Sequence, residues 1–123
     1  MKYKKKSVLR LELDIFNMTK VGEHITIDII GTVKEYDSSL FEKVIYDIAK
    51  AAKVTILNIS KYKFEPQGFT ILALLAESHI SFHTFPEKGI ISFDFFTCGK
   101  VSPSIAIDII KKEFKYKRII KKE

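Results

Sequence analysis

A single cysteine, Cys98, in 123 residues excludes an internal disulfide framework. That scarcity fits a reducing, cytoplasmic setting. No apolar run approaches the ~20 residues of a membrane-spanning helix. The longest, FTILALLA (residues 69–76), has the length of a strand. The opening MKYKKKSVLRLELDIF is basic and then apolar, but Arg10, Glu12 and Asp14 interrupt it, so no secretory leader is expected. There is no internal repeat, low-complexity tract or linker, which leaves a single domain. Zinc-finger spacings, an RNP-like aromatic motif and a G-x-S-x-G elbow are also missing.

What is present is globular: 46% hydrophobic and 12% aromatic residues. The net charge of +6 is concentrated at the two ends, in Lys2–Lys6 and again from Lys111 to Lys122. Without a recognition motif beside them, these lysines read as solubilising charge, and a nucleic-acid partner is not expected.

Apolar spacing gives the elements. LRLELDI (9–15) and EHITIDIIG (23–31) alternate as half-buried strands, the second with His24, Thr26 and Asp28 on one face. DSSLFEKVIYDIAKAAK (37–53) predicts a helix with Ser39 and Glu42 at capping-box spacing and an apolar stripe through Phe41, Val44, Ile45 and Ile48. VTILNIS (54–60), FTILALLA, SHISFHTF (78–85) and IISFDFFTC (90–98) read as strands, and YKFEPQG (62–68) as a loop. SPSIAIDIIKKEF (102–114) predicts a second helix starting from a Ser cap with Pro at its first position, and YKRII a last strand. Short hairpins and two amphipathic helices predict an α+β fold: a two-layer α/β sandwich, mostly antiparallel, with both helices on one sheet face. FTILALLA is apolar almost throughout, so the other face is expected to be covered by a second copy in a homodimer.

The stretch LLAESHISFHTFPE (74–87) holds two of the three histidines. Alternation puts His79, Ser81, His83 and Phe85 on one strand face. With PEKG as a four-residue hairpin loop, Phe85 pairs with Ile90, and the register sets Ser78 opposite Thr97 and Glu77 opposite Cys98. Three chemistries fit such a neighbourhood. A Ser–His hydrolase lacks its elbow. A metal site from His79, His83 and Cys98 is sterically conceivable. Alternatively, the Ser78 hydroxyl attacks the carbonyl before it, converts the Glu77–Ser78 peptide to an ester and cleaves the chain by elimination. The residues alone leave these open, along with plain polar residues on a half-buried strand.

AESHISFHTFPE followed by FDFFTCG closely resembles the prokaryotic S-adenosylmethionine decarboxylase proenzyme family, with further likeness in KFEPQG and GEHITID, over about residues 22–120. The resemblance implies a self-cleaved, pyruvoyl-dependent carboxy-lyase that uses neither metal nor pyridoxal phosphate. It implies a domain of residues 22–123 behind a basic extension (1–21), cut between Glu77 and Ser78 into chains of residues 1–77 and 78–123. Ser78 then becomes the pyruvoyl group that holds substrate as a Schiff base, with His83 assisting processing and Cys98 protonating the product carbon. Phe64 matches the aromatic that stacks on adenine, and Glu87 the carboxylate that binds ribose hydroxyls. Thr70 stands where the family usually has a second processing serine; Phe85 replaces the commoner Trp, and Lys88 an aromatic.

The substrate implied is S-adenosylmethionine, whose decarboxylated product supplies aminopropyl groups for spermidine synthesis. The pyruvoyl carbonyl takes the electrons released with CO2, as pyridoxal does elsewhere. Relatives that decarboxylate arginine or ornithine set one alternative, which Phe64, Pro86 and Glu87 disfavour. An unprocessed, non-enzymatic binding module is a second, which intact Ser78, His83 and Cys98 disfavour.

Overall fold

The computed structural model describes residues 21–32 and 36–122. The expected strand at 9–15, and with it the N-terminal extension, lies outside the described residues. Six strands and two helices follow in the order β1 (Glu23–Ile30), α1 (Ser38–Ala52), β2 (Ile56–Lys63), β3 (Phe69–Leu75), β4 (Ser78–Phe85), β5 (Ile90–Thr97), α2 (Ile105–Glu113) and β6 (Arg118–Lys122). The strands form one sheet in the order β2-β3-β4-β5-β1-β6. Every pairing is antiparallel. The α+β architecture expected from the sequence is the one observed.

The β4–β5 hairpin keeps the expected register, with Phe85 opposite Ile90 and His79 opposite Phe96. Its loop is a 3₁₀ turn over Pro86–Lys88, closed by Gly89 in the left-handed region at φ 63°. That conformation costs glycine nothing, and a β-carbon there would meet the Thr32 carbonyl oxygen at 2.9 Å.

Two helix starts differ from expectation. Helix α1 is capped by Asp37, whose side chain accepts from the Ser39 backbone N–H at 3.0 Å, in place of a Ser39–Glu42 box. That N–H holds the Asp37 carboxyl below its ordinary range. Asp caps at least as well as Ser, so the helix begins two residues earlier than a Ser39 cap would start it. Helix α2 begins at Ile105, beyond Pro103, and Ser104 makes no side-chain cap bond. The expected capping residue, Ser102, stands at the preceding turn, where its hydroxyl oxygen accepts from the Ser104 backbone N–H at 3.3 Å and the two hydroxyls bond at 3.0 Å. Strand β2 also runs further than expected, through Tyr62 and Lys63.

Period-2 alternation sends Ile25, Ile27, Ile29, Ile71, Ala73, Ile80, Phe82, Phe93 and Phe95 to the helix-covered face, where each is buried. Phe41 of α1 is the hub. Its ring lies 4.8 Å from Phe69, 5.0 Å from Phe82 and 5.1 Å from Phe114. Because the ring is fully enclosed, truncating it to Ala costs about 3–5 kcal/mol.

Among the described residues, the opposite face carries no helix. Its rows follow from the register: Leu74–His79–Phe96–His24, then Leu72–Ser81–Asp94–Thr26, then Thr70–His83–Ser92–Asp28. Leu72 and Leu74 are 45% and 52% exposed, high for leucines in mid-strand. Thr70, His79 and His83 lie on this open face, whereas Ser78, at the start of β4, is buried opposite Leu75.

Candidate active site

One cluster sits where β3 turns into β4. Ala76 and Glu77 make the tight link between the strands, and Glu77 takes a left-handed φ of 62°. A non-glycine residue there carries backbone strain of roughly 1–3 kcal/mol. Ser78 is buried, and among the described residues its hydroxyl reaches only the Ala76 carbonyl, at 3.5 Å. Such a bond is too long to hold the hydroxyl firmly. Cys98, just past the end of β5, donates its S–H to the Glu77 carbonyl oxygen at 3.1 Å. The backbone N–H of Gly99 donates to Thr97 Oγ1 at 2.9 Å, which fixes the chain on both sides of the cysteine. A hydroxyl, a strained peptide and a donor on its carbonyl oxygen are the parts that an internal acyl shift needs. The residues present therefore fit a group made from Ser78.

A second cluster sits at the far end of the same strand. Thr70 Oγ1 and His83 Nδ1 share a hydrogen bond of 2.9 Å across β3 and β4. A cleft of about 290 Å³ opens beside them, lined by Phe64, Gln67, Thr70, His83, Phe85 and Glu87. Gln67 Nε2 donates to Glu87 Oε2 at 3.4 Å. Phe64 is 48% exposed and tilts against Tyr62, ring centres 4.9 Å apart, so one of its faces is free. Lys88 lies over the Phe85 ring at 5.9 Å. A flat ring, a carboxylate and an imidazole–hydroxyl pair in one cleft suit a nucleoside.

All the residues singled out from sequence thus gather, but in two places. Ser78, Glu77 and Cys98 share one end of β4, and Phe64, Thr70, His83 and Glu87 share the other. Five residues of strand separate Ser78 from His83, about 16 Å at ~3.3 Å each. His79, His83 and Cys98 do not form a ligand set among the described residues, because His83 is occupied with Thr70 at the far end. The set that does converge is His24, His79 and Asp94. Alternation gave the strand faces of His24 and His79, but the neighbouring of β1 and β5 brings His24 to the others, and that pairing was not legible.

The family profile described as S-adenosylmethionine decarboxylase matches residues 23–123. The chain is 40% identical over 105 residues to an S-adenosylmethionine decarboxylase proenzyme of Methanococcus maripaludis, covering 83% of this chain and 86% of the relative. A proenzyme of the same name from Prochlorococcus marinus is 42% identical over 96 residues, 76% of this chain and 77% of the relative. The crystal structure of the adenosylmethionine decarboxylase from Aquifex aeolicus superposes with a TM-score of 0.75 at 34% identity, over 85% of this chain and 89% of that one. The chain belongs to the S-adenosylmethionine decarboxylase family.

Proposed function

We propose that this protein is a pyruvoyl-dependent S-adenosylmethionine decarboxylase that makes its own prosthetic group at Ser78 and supplies the aminopropyl donor for spermidine synthesis. The Glu77–Ser78 junction carries the reading: a strained peptide whose carbonyl oxygen already accepts from the Cys98 thiol.

In processing, Ser78 Oγ loses its proton and adds to the Glu77 carbonyl carbon, while Cys98 stabilises the oxyanion. The adduct collapses with breakage of the C–N bond, the nitrogen takes a proton, and an ester remains. Removal of the Cα proton of residue 78 with C–O cleavage releases Glu77 as a carboxylate and leaves dehydroalanine. Tautomerisation and hydrolysis then expel ammonia and give the pyruvoyl group. Thr70 and His83 are the proton carriers for these steps.

In turnover, the pyruvoyl carbonyl supplies the electron sink that lets CO2 leave. Cys98 holds the proton that the substrate carbon then takes. Phe64 stacks on the adenine, and Glu87, held by Gln67, accepts from the ribose hydroxyls.

The separation of about 16 Å supports an assembly of two protomers. A base about 16 Å from its target does no chemistry in one protomer, so the site is completed by a second copy. Two chains packed face to face about a two-fold axis perpendicular to β4 bring the Ser78 end of each against the His83 end of the other. The exposed Leu72 and Leu74 lie on the face this covers. The test is CO2 release from carboxyl-labelled S-adenosylmethionine, arginine and ornithine by the cleaved protein. Release from the first alone is expected; release from arginine or ornithine instead reassigns the substrate.

A further inference from the structure

We propose that His24, His79 and Asp94 form a site for a divalent transition-metal ion of the zinc class, distinct from the decarboxylation chemistry. The three residues come from β1, β4 and β5, adjacent strands of a rigid sheet. His24 and His79 both pair with Phe96 from either side, and Asp94 lies two residues back on the same face. The rings flank Phe96, His79 stacking on it at 6.2 Å and His24 meeting it edge-on at 6.1 Å. Both Nε2 atoms turn to a single carboxylate: His24 bonds Oδ1, and His79 bonds Oδ2 at 3.2 Å.

Each residue offers one ligand atom, and the three lie within 4.8 Å of one another. Metal bonds of about 2.0–2.2 Å put the ligands of a tetrahedral ion about 3.3 Å apart. Small side-chain rotations close that difference, with no change of backbone. Two imidazoles and a carboxylate select zinc, cobalt or nickel over magnesium or calcium, which prefer all-oxygen sets. In a single protomer the side chains are 50%, 39% and 33% exposed, so an ion can enter before the proposed pairing covers this face.

The site does not rest on the decarboxylase reading, and its test needs no turnover. Wild-type protein and the Ser78→Ala chain are stripped with EDTA and titrated with Co²⁺, followed by its visible d–d absorption, and with Zn²⁺ by calorimetry. A single equivalent per chain is expected, with Zn²⁺ displacing Co²⁺ and excess Mg²⁺ failing to. Asp94→Asn keeps polar partners for both rings but loses the anionic ligand. It should weaken Zn²⁺ binding by more than the ~10–100-fold that loss of an outer-shell partner costs, with an unchanged melting curve. His24→Asn is the second variant and should do the same. Cys98→Ser and His83→Ala should still bind. Absence of the Co²⁺ bands, equal affinity in Asp94→Asn and His24→Asn, or binding lost with Cys98 would each overturn the proposal.

Discussion

The Cys98 thiol donates to the Glu77 carbonyl oxygen across 3.1 Å, the atom that takes negative charge when Ser78 adds to that carbonyl. The same thiol lies beside the residue from which the pyruvoyl group is proposed to form. In the proposed mechanism this one side chain would serve two steps, the first before the prosthetic group exists and the second after.

Replacing Cys98 should therefore affect both. Cys98→Ala should slow self-cleavage by about tenfold or more, less than the ~10²–10³ of a strong oxyanion donor because S–H donates weakly. Cys98→Ser, which keeps an O–H, should cleave faster than the Ala variant. In whatever fraction does cleave, misplaced protonation should convert the pyruvoyl to alanine, so Edman sequencing of the residue 78 fragment should find a growing N-terminal alanine. Unimpaired cleavage in Cys98→Ala would confine the thiol to turnover.

Thr70 Oγ1 sits 2.9 Å from His83 Nδ1, and a β-branched hydroxyl is stiff about χ1. Thr70→Val keeps the shape and loses the hydrogen bond, so cleavage should slow markedly on denaturing gels. Thr70→Ser should retain it. Equal cleavage in Thr70→Val would remove Thr70 from processing.

The separation of the two clusters predicts complementation between dead variants. Ser78→Ala and His83→Ala should each be inactive alone. Co-expressed, they form mixed dimers in which one site has both wild-type residues, and activity should return to about a quarter of wild type at random pairing. Cleavage should appear only in the His83→Ala chain. No recovery, with mixed dimers shown to form, would place Ser78 and His83 in one protomer.

Most of the fold was legible because each element announces itself locally. The hairpin register followed from one turn, PEKG, and held from Phe85 opposite Ile90 to His79 opposite Phe96. Helix α1 was visible in its apolar stripe, although Asp37 outcompeted Ser39 for the cap. Residues quoted from one strand were harder to place against each other. Ser78 and His83 look adjacent in print, yet an extended chain carries them apart at ~3.3 Å per residue. His24 and Asp94 were invisible as partners because alternation gives the face of a strand and says nothing of which strand lies beside it. The β5–β1 pairing is a long-range contact, and it decides what the histidines touch.

The most direct measurement is the intact mass of the purified wild-type chain. Self-processing predicts two species, residues 1–77 with a free Glu77 carboxylate and residues 78–123 lighter by one ammonia than a serine-terminated chain. Ser78→Ala should give one uncut species. A wild-type chain that stays full-length after long incubation, and releases CO2 from S-adenosylmethionine in that form, would contradict the pyruvoyl mechanism.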